Sequence, residues 1–319
     1  MLSYRTFRNT DPPLLTALWR SRRGQVGLAQ PVSVDLFEQF IFGKLYFDYH
    51  GLFLAMDDGQ AVGFAHAGFG PNESLSHIST QRGVVCVLIV RPELGSRQQE
   101  IAAGLLAHCE EYLQARGAAT IYGGAVQPLV PFYSGLYGGA WPPGVLDGDA
   151  LALEIYRGHG YQEIGRTQIL CRDLEAFRPL VDRQQMQFRR QMSVAMTVDP
   201  PSQNWWEACT AGVFDLTRFE IVPRGSNAPL AAAVVRGLDQ GAAIGPSPAA
   251  GVLDLQVDPA HRRQGLGTFM LGEAFRQLAR EGIATVEVQV REEDQAGLGL
   301  CRKLGLQQTN QGHIFRKGS

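Results

Sequence analysis

The sequence has no Cys-x-x-Cys pair, no apolar run long enough to cross a bilayer and no surplus of charge of either sign. Each lack removes a class of function. The five cysteines, Cys86, Cys109, Cys171, Cys209 and Cys301, are scattered. That fits free thiols in a reducing compartment rather than a disulfide framework, and no metal site is expected. A formal charge of −2 gives no general pull toward nucleic acid or anionic membrane, so any attraction for an anion has to be local. The opening stretch MLSYRTFRNTDPP lacks the apolar core of a secretion signal, and a soluble, cytoplasmic protein is expected. With 319 residues the chain can bury two cores of ordinary size, so two domains are expected.

What is present is an order of elements that recurs. Residues 2–9 read as a strand, and Asp11-Pro12 as the cap and first turn of a helix. A second helix is expected over DLFEQFIFGKLYF, a hairpin at Asp57-Asp58-Gly59, a buried strand at GVVCVLIV and a long helix ending at Gly117. The second half repeats this with strands at TRFEIVPRG, PLAAAVVRGLD and GVLDLQV, a helix ending at Gly282 and a strand at ATVEVQV. The helix ends QARGAATIY and AREGIATVE align, which reads as an internal duplication. Between the halves, DLEAFRPLVDRQQMQFRRQMS reads as a polar helix. The expected domains are 1–182 and 183–319. The first half alone carries an insertion, about 127–149, with Phe132, Tyr133, Tyr137 and Trp141. It is long enough to cover a cleft or to pack on its own domain.

The chemistry is concentrated in VDPAHRRQGLGTFML, where the chain leaves a strand and enters a helix through Gly265 and Gly267. The first N–H groups of a helix have no internal partner and carry the positive end of its dipole. Glycines let a diphosphate approach them, and Arg262 and Arg263 add charge beside it. This stretch resembles the cofactor motif of the GNAT superfamily of acyl-CoA-dependent N-acyltransferases. In that motif Arg or Gln, two residues, Gly, one residue, then Gly or Ala follow a strand ending in Val-x-Pro. Arg262, Gly265 and Gly267 occupy the three positions, and DQAGLGLCRKLGL resembles the family's second motif.

The resemblance implies an α/β (α+β) fold of two such domains in tandem, each a mixed, splayed central sheet flanked by helices. It implies acetyl-CoA, or another acyl-CoA, held by Leu255 and Val257 on one splayed strand and by Arg262, Arg263, Gln264, Gly265, Leu266, Gly267 and Thr268 in the turn. The acceptor would be an amine on a small molecule or peptide. Nucleic acid and membrane are not expected partners.

Family members often use a strand Glu as base and a helix Tyr as acid. Here Cys301 stands at the Tyr position and Asp294 at the position of a motif Asn. By alternation, Asp254 and Gln256 share one face of a strand, as do Glu287 and Gln289 on the next. Asp254 and Glu287 are the candidate bases and Cys301 the candidate acid.

The first half departs in the opposite way. It keeps Val90-x-Pro92 and the helix Tyr, as Tyr156, but Glu100 and Ala102 are expected where the glycines would stand, so weak or absent CoA binding is inferred there. Catalysis is therefore expected from the second half. A non-catalytic acyl-CoA-binding regulatory protein is the alternative, because Cys301 replaces the Tyr and no obvious base is present.

Overall fold

A computed structural model of the chain describes residues 1–238 and 247–318, and the last residue of the strand read at PLAAAVVRGLD lies outside them. In the first half the elements are β1 (Leu2–Thr6), α1 (Pro12–Ser21), α2 (Val34–Phe37), β2 (Leu52–Asp57), β3 (Gln60–Pro71), β4 (Ile78–Val90), α3 (Arg97–Ala115), β5 (Thr120–Gly123), β6 (Val145–Leu146), α4 (Ala150–Gly158) and β7 (Gln162–Asp173). The second half comprises α5 (Arg183–Gln191), β8 (Met192–Val198), α6 (Trp205–Thr210), β9 (Leu216–Pro223), β10 (Ala231–Gly237), β11 (Ala249–Val257), α7 (Leu266–Arg280), β12 (Thr285–Arg291), α8 (Gln295–Lys303) and β13 (Gln307–Gly318).

Local chemistry explains several boundaries. Asp58 and Gly59 both have positive φ, +46° and +81°, and join β2 to β3 through a two-residue turn of the kind such pairs favour. Asp11 stands at the start of α1, but its carboxylate accepts from Arg5 and from the Arg8 N–H rather than capping the helix. The helix expected over DLFEQFIFGKLYF stops after one turn at Phe37 and continues as a wider turn over 38–42. That widening lets Phe37, Phe40 and Ile41 all reach the core. Only residues 183–191 of the expected linker helix are helical. Pro179, which lacks an N–H and restrains the residue before it, keeps the preceding segment out of helix.

One sheet runs through both halves in the order β1-β2-β3-β4-β5-β13-β7-β12-β11-β10-β9-β8, with β6 on β13. The pairs β4–β5 and β11–β12 are parallel, whereas the other pairs along this path are antiparallel. The final strand of each half crosses to the other: β13 pairs with β5, and β7 with β12. The sheet therefore does not divide at residue 183. α7 and α8 pack on one face of the second half's strands over a core that includes Phe275, Val286 and Val288. The opposite face is asymmetric. Residues 7–51 of the first half supply α1 and α2 there, whereas the corresponding 199–215 supply only the short α6. Trp206 of α6 is buried and donates to the Pro128 carbonyl at 3.0 Å, so it joins the halves. No helix among the described residues is long and apolar enough to cross a membrane.

A clasp marks the crossing of the last strands. His313 of β13 is buried, with Nδ1 3.0 Å from Glu163 and Nε2 3.0 Å from Asp147. Burial pushes the Glu163 carboxyl up, but Arg166, His313 and Arg157 outweigh it and hold the group at about 2, below its ordinary 4.5. A depressed carboxyl contributes stability above its unfolded value and loses it as pH falls through the folded one, here between 4.5 and about 2. His313→Ala is expected to cost about 1–3 kcal/mol at neutral pH and to weaken that acid loss. Thermal melts of both proteins at neutral and acidic pH check this, and parallel pH dependence would contradict it.

Candidate active site

β11 and β12 pair only from Ala249↔Thr285 to Val252↔Val288. Against β10 the register of β11 slips between Val234 and Val235, so that Val234 faces Asp254 and Val235 faces Val252. Leu253 is the extra residue of a bulge, and a bulge bends its strand. Past it the two parallel strands separate. The opening is a cleft of about 280 Å³ lined by Leu253, Asp254, Leu255, Gln289, Arg291 and Cys301, among others. Strand backbone without a neighbour can pair with an extended amide-bearing arm as with an added strand.

The cleft leads to the glycine turn. Asp258 accepts from the Ala260 N–H and lies 3.1 Å from His261 Nδ1, which closes a short turn over Pro259–His261. Those two bonds, that to His261 first, hold the Asp258 carboxyl below its ordinary value. The Arg262 side chain folds back to the Val257 carbonyl at 3.0 Å. Arg263 and Gly265 have φ of +61° and +77°, and α7 begins at Leu266. Leu266 and Thr268 are buried, so they offer the cradle their backbone N–H groups more than their side chains. Gln184 of α5 donates to the Gln264 carbonyl at 2.8 Å, and the buried Gln185 to that of Gly265 at 3.4 Å. The turn's carbonyls are thus engaged from behind. A Cβ on Gly265 would come within 2.9 Å of Gln184 Oε1, and one on Gly267 within 2.9 Å of Leu300 Cδ1. The residues named for the cofactor are therefore brought together as one cradle beside Leu255 and Val257. Gln184 and Gln185 had no signal in the sequence, because they act across 80 residues.

The three candidates for proton transfer are not equivalent. Asp254 is exposed, lines the cleft and accepts from Gln256 at 2.7 Å. Glu287 is fully buried and lies under the first half's insertion: its Oε1 accepts from the Ala140 N–H at 2.7 Å and from Gln289 at 2.9 Å. Burial pushes its carboxyl up, against the Ala140 N–H, Gln289 and Arg236. The carboxylate touches Gly139 and is not among the residues that line the cleft. Period-two alternation placed it on the right face but could not show what covers that face. Cys301 does line the cleft, yet burial pushes its thiol up to about 12, with Asp294 adding to the shift. It is a weaker acid than an ordinary thiol at about 8.5, so giving a proton to a departing thiolate is uphill.

The loop over Glu287 is held by several bonds from the second half's sheet. Gln289 donates to the carbonyls of Gly138 and Trp141, each at 2.8 Å, and Arg236 to that of Gly139 at 2.6 Å. In return the Trp141 indole donates to the Leu253 carbonyl, at the bulge, at 3.2 Å. The insertion also packs on its own half, where Tyr133 stacks on Trp19. It thus packs both on its own half and over Glu287 of β12.

The first half shows the same geometry closed. β4 and β5 pair from Arg82↔Thr120 to Val85↔Gly123 and then part. The space between is about 10 Å³, room for about one water, and is lined by Tyr137 and Tyr156. Tyr156 is buried against Gly123 and stacks on Phe315. Glu100 and Ala102 do not stand in a turn, contrary to the reading from sequence; both lie within α3, which starts at Arg97. The left-handed residue, Gly95, comes before the helix, and Ser96 at the cap is already right-handed, so the helix begins seven residues after Val90. α7 begins nine after Val257.

Comparison with known proteins agrees with this duplicated plan. The acetyltransferase (GNAT) family profile matches residues 15–135 and 185–306. Among solved structures, a tandem GNAT protein from the clavulanic acid biosynthesis pathway superposes with a TM-score of 0.66 at 16% identity, over 99% of this chain and 98% of that one. A GCN5-related N-acetyltransferase from Sphaerobacter thermophilus gives 0.63 at 16% identity, over 99% and 95%. A glucosamine N-acetyltransferase region of a fungal multi-domain GH3 β-N-acetylglucosaminidase gives 0.72 at 16% identity, over 99% of this chain, which spans 38% of that protein. No curated protein matches the chain. With both halves matched by the profile and each carrying a parallel strand pair that parts within the one sheet, the chain belongs to the acetyltransferase (GNAT) family, in its tandem form.

Proposed function

We propose that the second half binds acetyl-CoA, or another acyl-CoA, and transfers the acyl group to a primary amine of a small molecule or peptide. The observation that carries this is the contrast between a cleft of about 280 Å³ ending on a left-handed glycine turn and a counterpart of about 10 Å³ ending on a helix. The residues fit the cofactor: a Cβ at either Gly265 or Gly267 would crowd a neighbouring side chain in the cradle. Bound acyl-CoA supplies an activated thioester carbonyl. The N–H groups from Gly265 to Thr268 would hold its diphosphate, with Arg262 and Arg263 alongside. The backbone of Leu255 and Val257 would hold the arm.

An amine must be neutral to attack, so a proton acceptor at the cleft helps when the acceptor arrives charged. Asp254 takes that role. Glu287 acts through the Gly138–Trp141 loop as a positioning residue, and Cys301 is a neutral wall. Cys301→Ala is therefore expected to keep kcat within about threefold with an unchanged pH profile, whereas Asp254→Asn lowers kcat/KM by about 10- to 100-fold. A large loss in Cys301→Ala would return the thiol to the acid's role. The alternative, an acyl-CoA-binding regulator, is favoured by the burial of Glu287 and the weak acidity of Cys301. Steady-state turnover of acetyl-CoA with a panel of amines separates the two: binding without turnover of any acceptor selects the regulator.

A further inference from the structure

The two ends of the sheet are finished differently. At one end β1 carries Arg5, and Tyr4 fills the space against α3, reaching Gly104 and lying 5.0 Å from the His108 ring. At the other end β8 reads Met-Ser-Val-Ala-Met-Thr-Val, with no charge and no proline, and from Ser193 onward every residue is exposed. Val194, Met196 and Val198 are 41%, 46% and 62% exposed. Edge strands are normally protected by charge, proline, bulges or a covering element, and among the described residues β8 has none of these.

The backbone fixes which groups are free. Arg224 N–H donates to the Gln191 carbonyl, and Asp199 N–H to that of Leu216 on β9. In an antiparallel pair the inward and outward groups alternate. The odd residues therefore spend their N–H and C=O on β9, and Met192, Val194, Met196 and Val198 point theirs outward. Of these, Val194 and Met196 also line a groove of about 290 Å³ beside Phe219, Glu273 and Arg276.

We infer that β8 is the interface of a homodimer, pairing antiparallel with β8 of a second copy about a two-fold axis at Ala195. This register uses the whole strand. It matches Met192 with Val198 and Val194 with Met196 as hydrogen-bonded pairs, and puts Ala195 against itself in a non-hydrogen-bonded position. The apolar side chains of the two copies then meet on one face. Charge supports the same pairing. Arg190 stands just before the strand and Asp199 just after its end, so the two-fold sets Asp199 of one copy opposite Gln191 of the other, next to Arg190.

The test is the mass of the full chain in solution by sedimentation equilibrium, together with oxidative cross-linking. Wild type is expected at the mass of two chains. Val194→Lys/Met196→Lys is expected at the mass of one, with an unchanged circular dichroism spectrum, since both side chains are exposed. Ala195→Cys is expected to form a covalent dimer under mild oxidation, and Ser193→Cys, which faces Thr197 in this register, is not. A monomeric wild type, a dimer that survives the double substitution, or equal cross-linking at residues 193 and 195 would each overturn the inference.

Discussion

Gly265→Glu is expected to abolish saturable binding of acetyl-CoA, weakening it by at least about 100-fold, or roughly 3 kcal/mol. Three costs act together. A non-glycine residue at φ +77° is strained by about 1–2 kcal/mol. Its Cβ would press on Gln184, which holds the turn from behind. Its carboxylate would lie where the helix N-terminus favours an anionic ligand and would repel a diphosphate. Calorimetric titration of acetyl-CoA into the variant checks this, with circular dichroism to show that the fold is intact. Gly267→Leu is a second route to the same result, since a side chain there would meet Leu300 in the direction of Leu255 and Val257. Wild-type affinity in both variants would place the cofactor elsewhere.

Glu287→Ala is expected to have the largest effect on stability. The substitution leaves the buried Ala140 N–H without its acceptor, opens a void against Gly139 and removes the carboxylate beside Arg236. An unpaired buried N–H together with a void costs about 3–5 kcal/mol, which lowers the melting temperature by on the order of 10 °C. The Gly138–Trp141 loop should loosen with it, so kcat falls more than acyl-CoA affinity. Glu287→Gln keeps an acceptor for Ala140 and is expected within about 1 kcal/mol of wild type. The pH dependence follows from the raised carboxyl. A group whose folded value lies above its unfolded one contributes fully below the unfolded value, here 4.5, and loses that contribution as pH rises through the folded value. The Gln variant should lack this loss. Melting curves across that range decide the matter, and equal slopes for wild type and Gln would contradict it.

What could be read from sequence was local. Gly265 and Gly267 announce the cradle because only a turn that needs a left-handed residue and close approach calls for glycine there. Asp57-Asp58-Gly59 announces its hairpin for a related reason. Alternation alone put Glu287 and Gln289 on one face of β12. The rest depended on contacts between distant segments. Burial of Glu287 comes from Ala140, 147 residues earlier, and the turn's support from Gln184. The exchange of β7 and β13 leaves no local mark, since it is a pairing between segments far apart in sequence. Weak CoA binding in the first half is expected from Glu100 and Ala102 at the glycine positions, but both lie within α3, and Tyr137 and Tyr156 fill the space between the parted strands there. A filled space of this kind has no motif, because the residues that fill it come from separate segments of the chain.

In the proposed function, one half of this duplicated chain holds the cofactor. Hydrogen–deuterium exchange of the full chain, with and without saturating acetyl-CoA, tests it most directly. Slowed exchange is expected at residues 253–257 and 262–269, with none attributable to ligand at 86–101. Protection at 86–101, with the glycine turn unaffected, would contradict it.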